Sequence, residues 1–193
     1  MRVYYFKPLV ALLLVLGLLL TPGESITSED ASPGEPTRYG IAIAGGKTYR
    51  GDNISYGLVT GFVLFDYDKI WPHRAPEALR FKVEASAGTT THPNTRFMAS
   101  ANMFALYYLL GPQTRTFRPY IEGGIGVIYT AFRVEGQGLY VNFNPQIGIG
   151  TDIKVSPKTE FFTGARLSHI SNAGLSHENT GINSIILMFG YYF

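Results

Sequence analysis

The chain has 193 residues, a formal net charge of +2 and no cysteine. The missing cysteine excludes a disulfide scaffold, a cysteine-ligated metal site and a lipid anchor on an N-terminal cysteine. Charged residues make up 16% and aromatic residues 14%, which argues against wholesale disorder, and the small net charge gives no support to a nucleic-acid partner.

The first segment of the chain has the pattern of a secretory signal peptide. Arg2 and Lys7 supply positive charge, an apolar run covers residues 8–20, and residues 21–25 combine helix breakers with small side chains. The apolar run is shorter than the ~20 residues that a membrane-spanning helix needs. The sequence therefore predicts a signal peptide at 1–25, with a retained membrane anchor as the alternative, and a polar tail at 26–37.

The rest of the chain alternates between apolar and polar residues with a period of two. The alternation is clearest at residues 79–87, 117–129 and 143–155. Side chains of a strand point alternately to its two faces, so each run predicts a strand with one apolar and one polar face. The predicted strands cover residues 38–45, 55–66, 79–88, 95–110, 116–130, 143–156, 159–171 and 182–193.

The polar faces of these strands favour a membrane barrel over a soluble sandwich. Glycines stand beside opposite charges, as in Gly148, Gly150, Asp152 and Lys154, which suits a narrow lumen. The apolar faces end in aromatic residues, as expected for girdles at two membrane interfaces. The terminal strand, which ends on Phe193, resembles the assembly signal of bacterial outer-membrane barrels. The predicted fold is all-β, an eight-stranded antiparallel transmembrane β-barrel at 38–193, with odd-numbered strands running outward.

A histidine and a serine stand two residues apart at the end of the seventh predicted strand. Arg166 and Ser168 mark one face of this strand as the lumen, so His169 and Ser171 project towards lipid. Their Cβ atoms would be ~7 Å apart at the usual strand rise. Polar groups facing hydrocarbon are costly unless satisfied, which makes them functional candidates. A serine activated by histidine is the minimal apparatus for acyl transfer to water. The alternative is an ordinary polar pair at a strand end.

The residues around this pair resemble a known enzyme signature. The segment HISNAGL at 169–175, followed by NTGIN at 179–183, is similar to the motif of the PagL-type lipid A 3-O-deacylases. These are eight-stranded outer-membrane barrels that hydrolyse the ester at position 3 of lipid A. The resemblance implies Ser171 as nucleophile and His169 as its general base. It also implies three residues that bind the oxyanion through an amide or backbone N–H: Asn172, Gly174 and Asn179.

The chain departs from this family's pattern at the third member of the triad. The family has an acid there, and the corresponding residue is Asn183. If Ser171 opposes Gly181 across the last hairpin, then His169 opposes Asn183, so the geometry of an orienting partner survives without its charge. An amide oxygen can still accept from the imidazole and select its tautomer. Glu178, in the adjoining loop, is a second candidate for this role, with an exposed loop charge as its alternative interpretation.

Together these observations predict an outer-membrane esterase that removes the 3-O-linked hydroxyacyl chain from lipid A. The site is expected near the outer leaflet, where the acyl esters of lipopolysaccharide lie, and no metal or organic cofactor is implied. The expected partners are lipopolysaccharide and outer-membrane lipids, and a homodimer is left open. Two other functions remain: a non-enzymatic structural or adhesive barrel, which Asn183 favours, and an esterase acting on phospholipid.

Overall fold

The computed structural model describes residues 36–67, 75–109, 111 and 114–193. The predicted signal peptide and residues 26–35 of the predicted tail lie outside this part of the chain. Within it, no helix is long and apolar enough to cross a membrane. The strands are β1 (Arg38–Arg50), β2 (Ser55–Asp66), β3 (Leu79–His92), β4 (Phe97–Tyr108), β5 (Phe117–Thr130), β6 (Val141–Phe143), β7 (Gln146–Ser156), β8 (Thr159–Ile170) and β9 (Ile182–Tyr192).

The strands form one closed antiparallel barrel. Neighbours along the chain are paired, and β9 pairs with β1 to close the sheet. Both β6 and β7 pair with β5 and together make one wall strand, so the barrel has eight strands in its wall. Closure leaves no sheet edge with unpaired backbone groups, which is what a sheet in hydrocarbon requires. The predicted fold class is therefore confirmed.

The wall strand made by β6 and β7 is interrupted where the sequence predicts an unbroken strand over 143–156. The break falls at Asn144 and Pro145, between Phe143 and Gln146. Proline has no N–H to donate to the ladder, so it cannot continue the regular pairing. The Asn144 side chain points into the lumen, where Ser168 Oγ donates to its Oδ1 at 2.8 Å.

The two faces of the wall are as the alternation predicts. On β7, Ile147 and Ile149 are 64% and 65% exposed on the outer surface, while Gln146 and Asp152 are buried inside. The segment after residue 96, whose long apolar run also fits a buried helix, forms β4 with Asn102 in the lumen. The outer surface is the apolar face that a lipid bilayer covers.

Four buried charges cross-link the lumen. Arg166 of β8 holds Glu84 of β3 at 2.7 Å and Glu122 of β5 at 2.6 Å. Lys82 lies 3.3 Å from Glu84 and also bonds Glu122. The two cations balance the two carboxylates, as buried charges require. This cluster ties together strands on three sides of the barrel.

The barrel has two distinct rims. One rim carries the connections 51–54, 93–96, 131–140 and 171–181, and we call it the site rim. The other carries the start of β1 and the end of β9. Because β8 runs towards the site rim, its last residues lie beside the 171–181 connection.

Candidate active site

The end of β8 presents His169 on the outer surface of the barrel. Its neighbours Arg166 and Ser168 are buried in the lumen, while Leu167 is 50% exposed on the outside. The alternation therefore places His169 outward, as predicted, and its side chain is half-buried there. The His169 backbone N–H donates to the carbonyl of Pro145 at 3.0 Å. Through this bond, the break between β6 and β7 fixes the backbone of His169 on the side of β8 that faces away from β9.

Asn183 is the hydrogen-bond partner of the histidine. The two residues are directly opposite in the β8–β9 ladder, as the register argument predicts, and Asn183 Oδ1 lies 2.8 Å from His169 Nδ1. A carbonyl oxygen can only accept, so Nδ1 carries the proton and Nε2 keeps the free lone pair. The imidazole lies close to Gly181, where an added Cβ would come within 2.8 Å of Cε1. A glycine at this position is therefore required for the ring's placement.

Ser171 lies outside the ladder with β9, so the pairing with Gly181 that was assumed in counting the register does not form, although the register itself holds. The β8–β9 ladder ends at Ile170 and Ile182, and Ser171 instead forms a bridge to Phe143 of β6. Its N–H donates to the Phe143 carbonyl at 3.1 Å, and its carbonyl accepts from the Phe143 N–H at 2.8 Å. Among the described residues its hydroxyl has no hydrogen bond to His169. Such contacts commonly tighten only when substrate binds.

Asn172 organises the loop that follows the serine. It is fully buried, and its backbone N–H donates to Asn179 Oδ1 at 2.8 Å. Its side-chain Nδ2 donates to the Glu178 carbonyl at 2.7 Å, and its Oδ1 accepts from the Gly174 N–H at 3.0 Å. Of the three predicted oxyanion residues, two therefore donate their N–H groups to acceptors inside the loop: Asn172, through its backbone and side-chain amides, and Gly174, through its backbone amide. The amide Nδ2 of Asn179, an exposed residue, has no acceptor among the described residues.

A second loop, residues 131–140, supports the first and is absent from the sequence-based prediction. Gln137 is buried and forms a bridge to Asn179, and the Gly138 N–H donates to the Glu178 carbonyl at 2.9 Å. A Cβ at Gly138 would lie 2.0 Å from Ser176 Oγ, so a glycine is needed for the two loops to meet. In the sequence, only the closely spaced Gly136 and Gly138 indicate that this loop could pack closely against another segment.

Glu178, the second candidate for orienting the histidine, makes no hydrogen bond or ion pair with His169 in the described structure. It lines an open cavity of about 410 Å³ with residues of the 131–140 loop, including Arg133, Gln137 and Tyr140. The described residues contain no cluster of histidine and acidic side chains able to hold a metal ion. The site rim therefore carries a histidine, the asparagine that accepts its Nδ1 proton and, two residues further along the chain, a serine.

Fold and site together define an outer-membrane β-barrel whose outer surface carries a histidine hydrogen-bonded to an asparagine, two residues before a serine. The family described as "Lipid A 3-O-deacylase (PagL)" matches residues 54–192. The chain belongs to this family.

Individual relatives agree with this assignment. The Lipid A deacylase PagL of Pseudomonas aeruginosa is 38% identical over 73 residues, which are 37% of this chain and 41% of that protein, so the match spans about two fifths of the relative. The crystal structure of the outer membrane enzyme PagL superimposes with a TM-score of 0.57 at 28% identity, covering 78% of this chain and 97% of that one. Neisserial surface protein A has the same fold, with a TM-score of 0.55 at 16% identity over 81% of this chain and 94% of its own. The protein is thus a barrel of the bacterial outer membrane.

Proposed function

We propose that the protein hydrolyses the 3-O-linked hydroxyacyl ester of lipid A, with Ser171 as nucleophile and His169 as general base. The observation that carries the proposal is the 2.8 Å contact between Asn183 Oδ1 and His169 Nδ1. It leaves the basic nitrogen Nε2 for the serine hydroxyl, two residues further along the chain. Membership of the lipid A 3-O-deacylase family supports the choice of substrate.

The reaction proceeds through an acyl-enzyme. His169 Nε2 takes the Ser171 hydroxyl proton while Oγ bonds to the ester carbonyl carbon. The tetrahedral intermediate collapses, the bond to the sugar oxygen breaks, and that oxygen takes the proton from the imidazolium. Water then attacks the acyl-serine with His169 again as base. The products are a 3-hydroxy fatty acid and lipid A with a free hydroxyl group.

The oxyanion of the tetrahedral intermediate needs a hydrogen-bond donor that has no other acceptor in the loop. We assign the side-chain amide of Asn179 to this role, because the Asn172 and Gly174 N–H groups already have acceptors. Asn172 then acts by holding Asn179, whose Oδ1 accepts its backbone N–H. The oxyanion roles predicted for Asn172 and Gly174 require these bonds to open or to be shared when substrate binds.

The outward position of the site suits a membrane lipid. His169 stands above Leu167 on a surface that faces the bilayer, so an acyl chain can reach the site without leaving hydrocarbon. Each substitution tested should therefore be assayed on lipid substrates presented in micelles.

The test is hydrolysis of purified lipid A by the folded protein in detergent, followed by mass spectrometry. Ser171→Ala and His169→Ala should each lower the rate by at least about 10³-fold and leave a barrel that is still heat-modifiable on gels. The matched controls are Ser55→Ala and His92→Ala, a second serine and histidine that face each other at the same rim in the β2–β3 ladder.

Two results would contradict the proposal. Full activity of Ser171→Ala would remove the serine mechanism. A wild-type protein that leaves lipid A intact but cleaves a glycerophospholipid would establish the phospholipid esterase instead, and inactivity on both lipids would favour the non-enzymatic barrel.

A further inference from the structure

A basic residue of β1 stands in the same row as the candidate catalytic pair. Asn183 lies opposite His169 on one side and opposite Arg50 on the other. Residues directly opposite in an antiparallel sheet project from the same face, with Cβ atoms about 4.5–5.5 Å apart. The row His169, Asn183, Arg50 therefore runs across three strands on the outer surface.

A β-bulge is what turns Arg50 outward. The β1–β9 register shifts between Thr48, which pairs with Ser184, and Arg50, which pairs with Asn183. Without the bulge, regular alternation would put Tyr49 opposite Asn183 and turn Arg50 to the lumen face. Bulges commonly re-aim a side chain in this way beside active sites.

A second cation lies one row further from the rim. Lys47 pairs with Ile185, which is the outward residue next to Asn183 on β9, and Leu167 flanks Ile185 on the other side. Lys47 and Arg50 are both exposed. The surface near the candidate nucleophile thus combines an apolar area with two cations at its edge.

Neither cation has a carboxylate partner among the described residues. By contrast, the lumen cations Lys82 and Arg166 each bind two carboxylates. Asn183, between Arg50 and His169, is neutral and directs its oxygen at the imidazole. A charge on a membrane-facing surface is costly unless it finds an anion or reaches water, so the pair is suited to an anionic group of a lipid.

We propose that Arg50 and Lys47 bind a phosphate group of the lipid substrate and so make the enzyme selective for phosphorylated lipid. The proposal rests on the proposed function, because it assigns a substrate-binding role beside that site. A guanidinium offers paired donors that match phosphate oxygens, and the ammonium adds a second charge. Lipid A phosphates are monoesters and phospholipid headgroups are diesters, and both present this chemistry.

The test compares bisphosphorylated lipid A with the same lipid after enzymatic dephosphorylation, in neutral detergent micelles. On the phosphorylated lipid, Arg50→Gln should raise KM about 10-fold, the effect of losing one charge-assisted hydrogen bond, with kcat nearly unchanged. Lys47→Gln should raise KM less, because an ammonium makes no paired contact. On the dephosphorylated lipid, wild type and both variants should have the same KM.

The matched control is Arg96→Gln, which removes an exposed arginine from the 93–96 connection between β3 and β4, at the same rim. An equal rise of KM in Arg96→Gln, or an equal effect of Arg50→Gln on both lipids, would overturn the proposal. Competition by micellar phosphatidylglycerol that disappears in Arg50→Gln would assign the phosphate site to diester headgroups as well, and absence of competition would restrict it to monoesters.

A binding measurement separates this proposal from the proposed function. In the Ser171→Ala background, titration with each lipid reports affinity without turnover. Tighter binding of the phosphorylated lipid that is lost on adding Arg50→Gln would support the phosphate site even if the wild-type protein hydrolysed nothing. Equal affinity for both lipids would overturn the site even if hydrolysis were established.

Discussion

The hydrogen-bond partner of His169 is a neutral amide, and this affects the base role that we propose for the histidine. Asn183 Oδ1 accepts from Nδ1 and so selects the tautomer that leaves Nε2 basic. Unlike a carboxylate, it brings no negative charge to stabilise the imidazolium that the proposed mechanism forms when Ser171 loses its proton. The neutral side chain also leaves Arg50, on its other side, without an acidic neighbour in the ladder. Asn183 therefore affects both His169, the proposed base, and the adjacent cation Arg50.

At this scale we expect Asn183→Leu to lower kcat about 10-fold, the effect of one lost hydrogen bond, because the imidazole can then adopt the unproductive tautomer. The KM should change little, since Asn183 is engaged by the histidine and not by the substrate. Steady-state kinetics on lipid A provides the measurement. Ile185→Leu, the next outward position on β9, is the control, and an unchanged kcat in Asn183→Leu would remove the orienting role.

The loops and the interrupted wall strand position the site at the scale of elements. The chain changes its pairing partner directly after β8. Residues up to Ile170 pair with β9, whereas Ser171 pairs with Phe143 of β6 and does not continue the last hairpin. The loop 131–140 then supports the loop 171–181 through bonds from Gly138 to Glu178 and from Thr180 to Gly136. The conformation of the loop after Ser171 therefore depends on a segment more than thirty residues earlier in the chain.

We expect Gly138→Ala to reduce activity several-fold while the barrel stays folded. The new Cβ would lie 2.0 Å from Ser176 Oγ and 2.6 Å from its Cβ, so the two loops must separate. Hydrogen exchange should show faster exchange confined to residues 172–180. Gly123→Ala is the matched control, because its Cβ would meet no atom within 4 Å. Unchanged activity and exchange in Gly138→Ala would show that the loop contact is dispensable.

The whole molecule is held by the buried charge cluster of the lumen as well as by its closed sheet. Arg166 joins β8 to β3 and β5 through Glu84 and Glu122. The hydrogen bonds of the wall act between neighbouring strands, whereas this cluster acts across the barrel. The strand that carries His169 is therefore anchored from inside as well as from both sides.

Arg166→Met should lower the free energy of unfolding by about 3–5 kcal/mol, because Glu84 and Glu122 would then share Lys82 alone. Urea unfolding in detergent, followed by the gel shift of the heat-modifiable barrel, measures the change. The exposed Arg115→Met serves as control. The double variant Arg166→Met with Glu84→Gln should recover part of the loss, and a single variant no less stable than Arg115→Met would contradict the role of the cluster.

The sequence by itself determined the class of the fold and the outward face of His169. Both follow from alternation, which is local, because successive side chains of a strand point to opposite sides. It also placed Asn183 opposite His169 once one pairing of the last hairpin was assumed, because the numbers of opposite residues in an antiparallel ladder have a constant sum. The family signature around Ser171 could be recognised from the sequence because all of its residues lie within 169–183.

Only the tertiary structure decided the pairings between distant segments. The bridge from Ser171 to Phe143, the contact of the loop 131–140 with Asn179, and the bulge that turns Arg50 towards the site each depend on which strands become neighbours when the barrel closes. Periodicity carries no information about such contacts, because a one-residue shift in pairing leaves the sequence unchanged and moves a side chain to the opposite face.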